Sequence, residues 1–115
     1  MTLDIERTDD YDWEGLCFTL FLVSPVPPDQ QDRLRNVILA WYTIGVYGGL
    51  GDGVPHFISD IGFEVEDGQH IVEWWVDMGS LEPEALDVLI RCLDRFVQLN
   101  EIKTKRLVLG RRLLE

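Results

Sequence analysis

Asp67-Gly68 falls between two stretches whose apolar residues recur at every second position, and that placement constrains the fold of this 115-residue chain more than any other feature. A two-residue type I′ turn needs positive φ at both central positions, which Asp-Gly tolerates. Such a turn sets Val65 opposite His70, Phe63 opposite Val72, Ile61 opposite Trp74 and Ser59 opposite Val76. The register also assigns faces, because successive side chains of a strand point to opposite sides. Phe57, Ile61, Phe63 and Val65 are expected to face the core with His70, Val72, Trp74 and Val76. Ile58, Asp60, Glu64, Ile71, Glu73, Trp75 and Asp77 are expected to face away.

Upstream, Leu16 to Val23 is a nearly continuous apolar run, the pattern of a central strand partly covered on both faces. Ser24-Pro25-Val26-Pro27-Pro28 ends it. Leu34, Val37, Ile38, Trp41, Ile44 and Gly45 then place an apolar stripe on a helix from about Asp29 to Tyr47, which Gly48 stops. Downstream, Ser80 is expected to cap a second helix with Glu82, Pro83 and Glu84 in its first turn. Its stripe is Leu86, Leu89, Ile90, Leu93, Phe96 and Val97, and it ends near Asn100. Lys103 to Leu109 reads as a short final strand whose charges suit a sheet edge. Strand, helix, strand, strand, helix, strand predicts an α+β, ferredoxin-like plait (βαββαβ), a four-stranded antiparallel sheet in the order 4-1-3-2 with both helices on one face. A single domain is expected over residues 15–110, between an acidic segment 1–14 and a basic tail 111–115. A competing reading adds a strand from Thr2 to Arg7.

Charge narrows the partners. Ten Lys and Arg stand against 21 Asp and Glu, for a net charge of −11. Residues 1–14 carry −5 and residues 15–102 carry −10, whereas Lys103 to Glu115 reverses to +4. One short basic stretch cannot offset that repulsion at a phosphate backbone, which argues against nucleic acid. An anionic membrane is disfavoured for the same reason, and a basic protein partner is favoured. The longest charge-free run, Asn36 to Gly51, is sixteen residues. That is short of the roughly 20 apolar residues a membrane span needs. The acidic N-terminus does not resemble a leader, and Cys17 and Cys92 are isolated, so a cytoplasmic location is expected, with no cofactor and no metal.

With both helices on one side, the opposite sheet face becomes the candidate interface. Phe21, Ile58, Ile71 and Trp75 are expected to gather there as an apolar patch, with Thr19 beside them. The leading expectation is a non-catalytic assembly or protein-binding module that homodimerises through this face. Alternatively, the Asp9 to Glu14 segment covers the patch with Tyr11 and Trp13. An acidic inhibitor of a basic protein, immunity- or antitoxin-like, is a second reading of the whole chain. A small enzyme or ligand-binding protein built on Asp60, Glu64, Glu73 and Asp77 is a third, since convergent carboxylates can do acid–base work or hold Mg²⁺ or Ca²⁺. No motif is specific enough to name a reaction. Gly48-Gly49-Leu50-Gly51-Asp52-Gly53 leaves a helix instead of opening one, the wrong order for a phosphate cradle. His56 and His70 are expected to lie far apart, without a nucleophile partner.

Overall fold

The computed structural model describes residues 2–8 and 12–111, Arg111 by its backbone alone. In chain order the elements are β1 (Ile5–Arg7), a 3-10 helix (Trp13–Gly15), β2 (Leu16–Leu22), α1 (Pro28–Val46), β3 (Phe57–Ile58), β4 (Gly62–Glu66), β5 (Gln69–Asp77), α2 (Pro83–Leu99) and β6 (Thr104–Arg111). The chain is α+β, with two helices and a mixed six-stranded sheet ordered β1-β6-β2-β5-β3, β4 pairing with β5 as well.

The expected four-stranded, wholly antiparallel sheet is thereby corrected. β1 runs parallel to β6, with Ile5 opposite Leu107 and Arg7 opposite Leu109. β6 is therefore an interior strand, held between β1 and β2, and not the edge its charges suggested. The anchor lies outside the sheet. Asp94 of α2 is only 8% exposed, and its Oδ1 accepts the backbone N–H groups of Thr2 and Leu3, each at 2.8 Å. Gln98 Nε2 donates to Oδ2 at 2.7 Å, so both oxygens of this buried carboxylate are satisfied. Leu3 then enters the core.

The hairpin forms as its turn requires: Asp67 has φ 51° and Gly68 φ 78°, with Val65 opposite His70 and Phe63 opposite Val72. Past Gly62 the register slips by one residue, so that Ile58 and not Ser59 faces Val76. Ser59 explains the slip. Its Oγ accepts the Trp75 N–H at 2.8 Å, standing in for a ladder carbonyl, while its own N–H donates to the Trp75 carbonyl at 3.0 Å. The edge strand thus accommodates an extra residue as a bulge between β3 and β4. Phe57 and Ile58 exchange faces in consequence: Ile58 packs against the core, and Phe57 lies against Trp75.

Leu16, Phe18, Leu20 and Leu22 of β2 join Val72, Trp74, Val76, Leu107 and Leu109 in one buried cluster with Leu34, Ile38 and Trp41 of α1 and Leu86, Leu89 and Leu93 of α2. Both helices consequently cover the same sheet face. Trp74 stacks on Phe18 with ring centroids 4.9 Å apart, and its buried indole N–H has no acceptor among the described residues. Trp41 Nε1 donates to the Ala85 carbonyl at 2.9 Å and joins the helices. Gly48, at φ 83°, ends α1: its N–H reaches the Gly45 carbonyl and that of Gly49 the Ile44 carbonyl. Ser80 is not the cap of α2. Glu82 takes that position without a side-chain bond, and Ser80 Oγ instead accepts the Val54 N–H at 3.1 Å. There the glycine-rich loop docks onto the turn before α2, and a Cβ on Gly53 would overlap the Ser80 carbonyl. Among the described residues no helix is long and apolar enough to cross a membrane.

Candidate functional site on the outer sheet face

The alternation of β2 and β5 determines what the face away from the helices presents. Register lines up three rows across the central strands: Arg106–Phe21–Ile71, Val108–Thr19–Glu73 and Gly110–Cys17–Trp75. Glu6 of β1 lies beside Val108, Glu64 of β4 beside Ile71, and Phe57 of β3 beside Asp77. The two apolar ends differ in character. At one end the Arg106 guanidinium sits 4.3 Å above the Phe21 ring, with its Nε 3.5 Å from Glu6 Oε2. Ile71, between Phe21 and Glu64, is only 3% exposed. At the other end Phe57 and Trp75 meet at 5.0 Å with a 38° tilt.

Phe21 and Ile71 are thus neighbours, but Trp75 lies four residues further along β5, about 13 Å at strand rise. Between the ends Thr19 Oγ1 donates to Glu73 Oε2 at 3.2 Å. Instead of one continuous patch, the face has two apolar ends around a carboxylate. Ile58 is absent from it, and Phe57 takes its place. The signal for that exchange is Ser59-Asp60, two residues with turn-forming side chains in mid-strand.

The four candidate carboxylates do not converge. Glu64 and Glu73 are diagonal across the hairpin, whereas exposed Asp60 falls in the bulge. Asp77 turns to local partners: its Oδ1 accepts the Gly79 N–H at 2.9 Å, and its Oδ2 lies 3.9 Å from His56 Nδ1. Among the described residues no three His, Cys, Asp or Glu side chains group to hold a metal ion. Burial pushes the Tyr42 phenol of α1 above its ordinary value, and the Asp77 charge adds to the rise. His70 lines a shallow groove of about 220 Å³ with Leu22, Val26, Phe63 and Val65, smaller than the roughly 300 Å³ at which ligand pockets begin.

Trp13 does not cover the outer face. It packs against the core, donating its indole N–H to the Leu81 carbonyl at 3.1 Å. Tyr11 and the basic tail beyond Arg111 lie outside the described residues. No protein-family model, curated protein or solved structure matches the chain.

Proposed function

We propose that the protein is a non-catalytic binding module whose outer sheet face receives a basic protein partner. One observation carries the reading: Phe57 with Trp75 at one end and Phe21, over the buried Ile71, at the other flank the Glu73 carboxylate, with Glu6, Glu64 and Asp77 at the margins. Arg106 is the base on this face among the described side chains, and it is engaged by Phe21 and Glu6. An Arg or Lys flanked by apolar side chains matches that arrangement, and a net charge of −11 speeds the encounter. A second copy is the other occupant, the homodimer expected from the apolar residues. It brings the same carboxylates with it, which favours the basic partner and an inhibitor of the immunity or antitoxin kind. Dispersed carboxylates lend less support to the small-enzyme reading.

Within the sheet we read β6, β2, β5 and the broken β3–β4 strand, with the two helices, as a ferredoxin-like plait to which β1 adds an outer strand. Two cysteines in 115 residues suit a place in the cytosol. The test is an amide NMR titration with a short peptide alternating Arg and Leu. Signals of β2 and β5 and the Trp75 indole should shift, with an affinity that falls steeply with salt. Trp75→Asp should weaken binding at least tenfold even though it adds an acid. Shifts confined to other surfaces, or binding indifferent to salt, would refute the reading.

A further inference from the structure

We infer that the free edge of β4 is a strand-addition site that takes an extended segment alternating basic and apolar residues. β4 and the two-residue β3 form one margin of the sheet, and no strand among the described residues pairs with the far side of β4. Glu66 and Gln69, flanking the two-residue turn, are a pair that exchanges backbone hydrogen bonds. By alternation Gly62 and Glu64 also turn their backbone groups to β5, whereas Phe63 and Val65 turn N–H and C=O outward. Such a row of backbone donors and acceptors is a template for another strand. β1, at the opposite margin, is only three residues long, and β4 carries neither the Lys nor the Pro that commonly blunts an edge.

Charge and side-chain alternation select the occupant. Glu64 and Glu66 are exposed on the outer side of β4, about 7 Å apart at strand rise, with exposed Asp60 and Asp67 beyond either end. A second copy would set these carboxylates against their like, whereas Arg or Lys at every second position of an added strand meets them in turn. The helix side demands the opposite chemistry. There Val65 is 65% exposed, Phe63 and Val65 line the shallow groove with Leu22 and Val26, and the Arg35 guanidinium stands 4.7 Å from the Phe63 ring. Apolar side chains suit that side, and Arg35 repels a base placed there. Backbone pairing gives such a contact its affinity and alternate side chains give it selectivity. The edge is distinct from the Glu73 face, and this inference does not depend on the proposed function.

Amide NMR and hydrogen exchange of the whole chain, titrated to about 1 mM with a short peptide alternating Lys and Val, test it. Exchange at Phe63 and Val65 should slow roughly tenfold, while Glu64, already bonded to β5, changes little. Methylating the peptide nitrogen at every second residue separates edge pairing from contact through side chains alone. The phase whose N–H groups point at β4 should lose at least tenfold in affinity, and the other phase should bind as before. Val65→Pro deletes an outward N–H that β5 does not use, so it should weaken binding at least tenfold with the pairing of β4 and β5 intact. Glu64→Lys with Glu66→Lys, both at exposed positions, should do the same. Trp75→Asp should leave the affinity unchanged. Absence of binding, equal effects of the two methylation phases, or full affinity in Val65→Pro or in the paired lysines overturns the inference. Shifts at β2 and the Trp75 indole without protection at Phe63 and Val65 also overturn it, and leave the reading of the outer face standing.

Discussion

Tyr42 shows how far a single side chain can report on this molecule. Its phenol is raised first by burial and then by the Asp77 carboxylate, so the folded state favours the neutral form. A raised folded value means that the group's contribution is complete below the unfolded value near 10 and is lost as the pH climbs through the higher folded one. Wild-type stability should therefore decline above about pH 10 more steeply than that of Tyr42→Phe, as read from urea midpoints. Asp77→Asn should bring the phenol back toward its ordinary value in an absorbance titration. None of this was legible beforehand. Tyr42 and Asp77 are separated by most of an intervening hairpin, and only the fold brings them within electrostatic reach.

At the scale of elements, Ser59 decides that Phe57 and not Ile58 reaches the outer face. Ser59→Ala removes the acceptor of the Trp75 N–H and should cost about 1–2 kcal/mol in chemical denaturation, with the loss of hydrogen-exchange protection concentrated at Trp75. The same residue marks where reading from pattern stopped. Alternation and the Asp67-Gly68 turn correctly gave the pairing of β4 with β5, because a period of two and a left-handed turn are local properties. They could not report a one-residue slip, since that depends on a hydroxyl replacing a carbonyl across the ladder. The helices were legible for a similar reason. Apart from Ile44, which is 50% exposed, the α1 stripe is local, as are Gly48 and the Pro83 start of α2, whereas the diversion of Ser80 to Val54 depends on a loop from elsewhere in the chain. Of the candidate interface, Phe21, Ile71 and Trp75 stayed on the expected face; Ile58 did not, because it lies beyond the slip.

For the whole molecule, β1 on the far side of β6 is the strand that the competing reading placed within Thr2 to Arg7 and that the leading reading left out. Six acids in the first fourteen residues resemble a solvated lead-in, yet Leu3 is buried and Asp94 receives its backbone. Asp94→Ala should cost about 2 kcal/mol, because two backbone donors lose a charged acceptor. A stopped-flow denaturation series should place that loss on one limb only. β1 is a three-residue outermost strand paired with β6, so its contacts are expected to form after the rate-limiting step. Unfolding should then accelerate roughly thirtyfold while refolding keeps its wild-type rate. A strand near the beginning of the sequence would be the last piece fitted and the first released, a clasp that governs how long the assembled molecule survives and leaves the speed of its making untouched.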